Sequence, residues 1–269
     1  MPTGTSERAE PLRRLAEAYR WQRRLGHDAI ELPCCGIVAD DRHPDLWDAN
    51  HADNVTAESD AEIDAVLAAM DQHLGHSEWR VVHTDPFTPE PFLARLAYDG
   101  FAERPVVIQM TCDRLAPARA ASVLIVEVTE QREWDVLGEL VAADVQEGKR
   151  TGGLDLDLDF VRGMIANYRL KTPEYRFHLA VRDGQALAYG AMAIAPNRMG
   201  MIEDLFTLQS ARRQGIASTL IAYFDRELRA AGCHQLFLGA VAEEEAKSLY
   251  FNLGFRPAML TRCWVKNVS

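Results

Sequence analysis

The chain has 269 residues, 48% hydrophobic and 26% charged, which is the balance of a folded, water-soluble protein and enough for one large domain or two ordinary ones. No apolar run approaches the roughly 20 residues of a membrane helix, and the arginines near the start are mixed with acids, so neither a secretion signal nor a transit peptide is expected. A net charge of -11 argues against a nucleic-acid backbone as main partner and mildly favours cationic or amine-bearing partners. Cysteines 34, 35, 112, 233 and 263 form no C-x-x-C pair and no zinc-spaced cluster, so no metal is expected and the thiols read as reduced ones of a cytoplasmic protein.

Glu7 to Leu25 has near-helical apolar spacing at Leu12, Leu15, Ala16, Tyr19 and Leu25, with Gly26 as a stop. Ala29 to Asp40 predicts one or two strands. Pro44 to Val55 is polar around Trp47; there Trp47, Asn50, His51 and Asn54 read either as a substrate wall or, more simply, as a turn whose Trp packs inward. Ser59 to Leu74 predicts a helix, with Ser59 and Glu62 at capping-box spacing and a stripe of Ile63, Val66, Leu67 and Met70. A strand at Trp79 to His83, a helix at Pro89 to Tyr98 and a strand at Pro105 to Met110 follow.

Ser122 to Val128 predicts a strand, and Gln131 to Val145 and Leu158 to Leu170 two helices, separated by a loop holding Gly148, Gly152 and Gly153. Asp155, Asp157 and Asp159 alternate, but a calcium loop needs Gly where Phe160 stands and Glu where Ala166 stands, so they read as charges leading into a helix. Arg176 to Val181 and Leu187 to Ile194 form a hairpin through Asp183-Gly184. Met199 to Leu208 is a third strand. A helix with Ile216, Leu220, Tyr223, Phe224 and Leu228 on one face ends at Gly232. Gln235 to Val241 is a strand, Glu243 to Leu253 a helix and Ala258 to Val265 a strand. The passage from 201 to 241 favours a parallel pair, so the class is α/β with a mixed sheet.

The stretch Glu203 to Ser218 reads as strand, basic turn, one glycine and helix start. That aims backbone N–H groups, a positive helix end and two arginines at one spot, which suits a phosphate or pyrophosphate. Neither G-x-x-x-x-G-K-S/T nor G-x-G-x-x-G is present. Arg212, Gly215 and Ala217 match the pyrophosphate loop Q/R-x-x-G-x-G/A, and Ala246, Leu249, Tyr250, Gly254 and Phe255 match A-x-x-L-Y-x-x-x-G-F. Carrying both motifs, residues from about 122 to 269 resemble the GNAT superfamily of acyl-CoA-dependent N-acetyltransferases.

The resemblance implies acetyl-CoA as cosubstrate, held by Arg212, Arg213, Gln214, Gly215, Ile216, Ala217 and Ser218. It also implies that the strand Leu205, Phe206, Thr207 splays from its neighbour and pairs with the pantetheine arm. Tyr250 is expected to serve the departing thiolate, and Glu203 to take the proton from the amine, with Asp204 competing; alternation puts Glu203 and Asp204 on opposite faces. Glu243 stands where the family often has Asn, which puts one cofactor contact in doubt.

Gly100-Phe101 mirrors Gly254-Phe255, each closing a helix after a strand, so the first half also resembles this fold. The expected organisation is two GNAT-like domains, each a mixed, mostly antiparallel sheet flanked by helices: 1–118 degenerate and without a cofactor site, 119–269 catalytic. Leu96 falls at the place of Tyr250. Aligning Gly75 with Gly232 puts Val55 opposite Arg212 and Glu58 opposite Gly215, where an acid would repel pyrophosphate. The expected activity is transfer of acetyl to a primary amine of a small molecule, with no nucleic-acid or membrane partner. The alternatives are a non-enzymatic acyl-CoA-binding module and an enzyme acting on protein amines. Acceptor contacts are expected from 148–154, from 169–175 and from Trp47 and His51.

Overall fold

The computed structural model of the protein describes residues 4–148 and 158–269; Gly152, Gly153, Asp155 and Asp157, with most of the loop proposed for acceptor contacts, lie outside them. The chain forms two compact units. One comprises Met1–Met110, Gly239–Lys247 and Pro257–Ser269; the other comprises Thr111–Leu238 and Ser248–Arg256. The division is therefore not a single cut near residue 118, because the last strand of the chain is built into the first unit.

The first unit opens with helix α1 (Gly4–Arg24), which buries Leu15, Ala16 and Ala18. Strands β1 (Ala29–Leu32), β2 (Cys35–Val38) and β3 (His51–Asp53) form an antiparallel meander, and β3 then pairs in parallel with β4 (Trp79–Thr84). Helix α2 (Asp60–His73) makes that crossover, as a parallel pair requires. The capping box is present, and Ile63, Val66 and Met70 are buried with Phe92 and Leu96 of α3 (Glu90–Tyr98) in one core. The short β5 (Ala102–Glu103), then β6 (Val107–Cys112), complete the unit with β12 (Arg256–Asn267), whose register with β4 runs from Arg262↔Thr84 to Asn267↔Trp79.

The polar segment after β2 contains a strand that alternation hides, since β3 is three residues long and buried on both faces. Its neighbours brace it. Asn50 accepts from the Asp40 N–H at 2.9 Å and donates to the carbonyls of His43 at 2.8 Å and Leu46 at 3.1 Å. Trp47 packs edge-on against Trp79 at 5.2 Å. All three of these hydrogen bonds are spent on the turn, as the simpler of the two sequence readings required.

The second unit repeats the plan. After β7 (Leu124–Glu127) and helices α4 (Gln131–Gln146) and α5 (Leu158–Leu170) comes the meander β8 (Arg176–Arg182), β9 (Gln185–Ile194), β10 (Met199–Thr207). Asp183 and Gly184 both take positive φ, as a two-residue hairpin turn demands. Helix α6 (Ile216–Ala230) crosses to β11 (Gln235–Val241), parallel to β10. Leu220, Ile221, Phe224 and Leu228 are fully buried, each worth about 1.5–3 kcal/mol of apolar burial. Helix α7 (Ala246–Asn252) is shorter than the expected 243–253, because Glu243 to Glu245 form a turn.

The two units share more than element order. The Phe255 N–H donates to Tyr250 O at 3.0 Å, and the Phe101 N–H donates to Leu96 O at 3.0 Å; Gly254 and Gly100 are both left-handed. Leu96 thus occupies the backbone place of Tyr250. The Gly75–Gly232 match does not hold: Gly232 has φ +89, whereas Gly75 is not left-handed. Helix α2 has 14 residues and α6 has 15, so matching their ends displaces their starts by one. Matched at the starts, Ser59 rather than Glu58 stands opposite Gly215.

Candidate functional site

The site belongs to the second unit and begins where β10 parts from β11. Their parallel register covers Met199↔Gln235, Gly200↔Leu236 and Met201↔Phe237 and goes no further. Among the described residues, the remainder of β10 continues to Thr207 paired with β9, its ladder with β11 having stopped at Met201. Leu205, Phe206 and Thr207, the residues expected to meet an extended ligand, lie on this stretch.

A bulge interrupts the β9 side. Glu203 pairs with Ala191 and Phe206 with Tyr189, so Asp204 and Leu205 together oppose Gly190. Asp204 takes φ +54, a left-handed conformation that Asp tolerates better than most residues. The consequence corrects the expected alternation. Glu203 keeps the face of its partner Ala191, which is also the face of Tyr189 and its bond to Asp144 of α4. Asp204 reaches Tyr168 of α5 and Tyr175, whose rings pack on Phe177 of the neighbouring strand, also toward α4. Leu205 goes the other way, beside Gly190 and Phe224 of α6. Both carboxylates therefore share one face. Asp204 accepts from the Tyr175 hydroxyl at 2.6 Å and from the Tyr168 hydroxyl at 3.0 Å. Burial, reinforced by the charges of Asp204 and Glu203, holds the Tyr175 phenol well above its usual range, so it stays a donor.

The turn into α6 supplies the anion geometry. Gly215 has φ +87 and forms the N-cap with no side-chain cap, and the first helical bond is Thr219 N–H to Gly215 O at 3.0 Å. Among the described residues no side-chain cap forms at this start, and the positive end of a 15-residue helix stands behind its early N–H groups. A Cβ at Gly215 would stand 2.8 Å from Arg119 O, so both φ and space require glycine. Ile216 and Ser218 are buried, while Gln214 and Ala217 are half-exposed.

The two arginines of the turn have different roles. Arg212 donates to Thr207 O at 2.9 Å, pairs with Glu147 and lies over the Phe206 ring, so it braces the turn. Arg213 is exposed and has no partner among the described residues. Gln214 accepts from Arg182 at 2.7 Å. Arg119 went unnoticed in the sequence because it lies nearly a hundred residues upstream. Its Cγ would be 3.4 Å from a Cβ on Gly215, its side chain is exposed, and the Ala121 N–H donates to Thr219 Oγ1 at 2.8 Å. Only folding brings that cation to the turn.

Tyr250 is buried on α7 with its ring edge-on to Phe255 at 6.4 Å. Glu243 is exposed in the turn before α7. No group of three His, Cys, Asp or Glu suited to a metal occurs among the described residues, and no helix among them is long and apolar enough to cross a membrane.

The first unit offers a contrast at the equivalent turn. Before α2, the Glu62 carboxylate accepts from the N–H groups of Glu58 at 3.1 Å and Ser59 at 2.9 Å, and from the Ser59 hydroxyl at 2.9 Å. A side chain caps that helix start; at α6 no side-chain cap forms among the described residues.

A parted parallel pair, a bulged strand and a left-handed glycine turn at a helix start meet in this part of the second unit. Residues 136–255 match the acetyltransferase (GNAT) family. Among solved structures, a GCN5-related N-acetyltransferase from Kribbella flavida is 17% identical with a TM-score of 0.69, 95% of each chain being covered. A functionally unknown conserved protein from Staphylococcus epidermidis is 16% identical with a TM-score of 0.68, covering 90% of this chain and 94% of that one. A tandem GNAT protein from the clavulanic acid biosynthesis pathway is 13% identical with a TM-score of 0.56, covering 81% of this chain and 75% of that one. These likenesses establish the fold. No curated protein sequence matches the chain.

Proposed function

We propose that the second unit transfers acetyl from acetyl-CoA to a primary amine of a small molecule. The observation that carries this reading is the uncapped, left-handed Gly215 turn at the start of α6, beside a β10 edge that β11 has left. The residues present suit the cosubstrate: N–H groups of 215–218 and the cations Arg213 and Arg119 would hold the pyrophosphate, and the edge at 205–207 would pair with the pantetheine amides. Acetyl-CoA would supply an activated thioester carbonyl and a thiolate leaving group. Glu203 would accept the proton of the incoming ammonium, directly or through water, and the Tyr250 phenol would donate toward the leaving sulfur. The first unit would bind no acyl-CoA, since Glu62 occupies its helix start. The acidic charge and five free cysteines support a cytoplasmic setting and a cationic acceptor.

The test is thiol release from acetyl-CoA across a panel of small amines and amino-terminal peptides. Turnover on at least one small amine that falls about 100-fold or more in Tyr250→Phe is expected. Tight acetyl-CoA binding without turnover on any acceptor would sink the transferase assignment. Turnover confined to peptides would overturn the small-molecule part of it.

A further inference from the structure

The cluster formed by Asp204, Tyr168 and Tyr175 has no part in the transfer chemistry above, yet it is built on the residue next to Glu203. Each oxygen of Asp204 accepts one phenol, at 3.0 and 2.6 Å. Tyr175 is fully buried and Tyr168 nearly so. Their rings lie 5.1 and 4.5 Å from that of Phe177, and the buried Lys171 places its ammonium 5.7 Å from the Tyr175 ring. Packing therefore fixes both donors before they meet the carboxylate. Asp204 in turn sits at φ +54 inside the bulge, a left-handed conformation that a non-glycine residue keeps only where its surroundings hold it.

The bulge decides two features of the site at once. It turns Glu203 and Asp204 to one face, and it lies in the very stretch of β10 that β11 has left. A strand with hydrogen bonds on one side and an irregular register is intrinsically loose. Two phenols anchoring its central residue to α5 and to the turn after it remove that looseness. Tyr168 precedes and Tyr175 ends the 169–175 segment expected to meet the acceptor, so the anchor ties that segment to the strand that carries Glu203.

We propose that Asp204, clamped by Tyr168 and Tyr175, is a positioning residue that holds the β10 bulge and thereby the Glu203 carboxylate in its working place. This rests on the transferase reading above. The pyrophosphate turn is a separate stretch of chain with its own bonds, so the clamp acts on the reacting end of the site.

The experiment uses the full chain and three variants: Tyr175→Phe, which keeps the packed ring; Asp204→Asn, which keeps the shape; and Asp204→Gly, which keeps the left-handed backbone without the anchor. Two readouts are taken. Steady-state turnover at saturating acetyl-CoA, on the acceptor found for wild type, is expected to fall about 10-fold or more, the signature of lost positioning at the reacting end. Amide exchange of residues 202–207 is expected to accelerate about 10-fold while protection in α6 is kept. Both changes are required. Unchanged exchange with reduced turnover, or faster exchange with full turnover, overturns the proposal, as does an Asp204→Gly chain that matches wild type. A wild-type chain active on no amine overturns the transferase reading itself, and that is seen before any variant is compared.

Discussion

At the scale of single residues, glycine 215 carries the largest consequence for the fewest atoms. Its φ of +87 and the 2.8 Å approach of Arg119 O mean that Gly215→Ala both strains the backbone and forces the linker away. The expected outcome is about 1–3 kcal/mol of lost stability in urea unfolding, with acetyl-CoA affinity in calorimetry lowered at least tenfold. Arg213→Ala and Arg119→Ala are expected to leave stability unchanged, because both side chains are exposed, and each to raise the KM for acetyl-CoA about 3- to 10-fold at low salt. Arg212→Ala should differ from both: it removes the Glu147 pair and the bond to Thr207 O, so stability falls as well. The motif at 212–217 was legible in the sequence, but the division of labour between adjacent arginines was not, since it depends on whether a carboxylate from α4 reaches one of them.

At the scale of elements, the helix starts separate the two units. The sequence already showed Ser59 and Glu62 at capping-box spacing, and the structure adds that the same carboxylate takes the N–H groups of Glu58 and Ser59 and so puts a negative charge where a phosphate would lie. Glu62→Ala is expected to cost about 1 kcal/mol in urea unfolding, and acetyl-CoA stoichiometry in calorimetry should remain one per chain, because the first unit also lacks the left-handed glycine at that turn. The strand bulge was hidden from the sequence. Alternation assigns Glu203 and Asp204 to opposite faces, and that rule fails wherever one extra residue enters a ladder. Similarly, β3 is too short and too polar to show a period, yet it is buried because Asn50 and Trp47 close the turn beside it.

For the whole molecule, buried histidines set the response to acid. Burial holds His51 down to about 4, despite Asp53 nearby, and His178 also down to about 4, its 3.9 Å approach to Glu127 being no ion pair while the ring is neutral. The unfolded chain takes up a proton at the ordinary histidine value while the folded chain does not. Stability is therefore full above about pH 6.5 and falls by about 1.4 kcal/mol per pH unit per histidine as pH drops toward 4. Urea midpoints measured from pH 8 to pH 4 should show this slope, and His51→Gln should remove part of it. The His51 Nδ1 position faces Trp47 O at 3.2 Å, which places its proton there and leaves Nε2 bare. The sequence by itself determined the order of elements, the repeated strand–helix–strand plan, the anion turn and the Tyr250 motif, because each is a local pattern of periodicity, glycine placement or capping. Only the tertiary structure decided that the last strand completes the first unit, that Arg119 stands beside Gly215, and that Asp204 is clamped by two phenols. Those depend on pairings between residues dozens to hundreds of positions apart, and no local pattern encodes which distant side chain arrives.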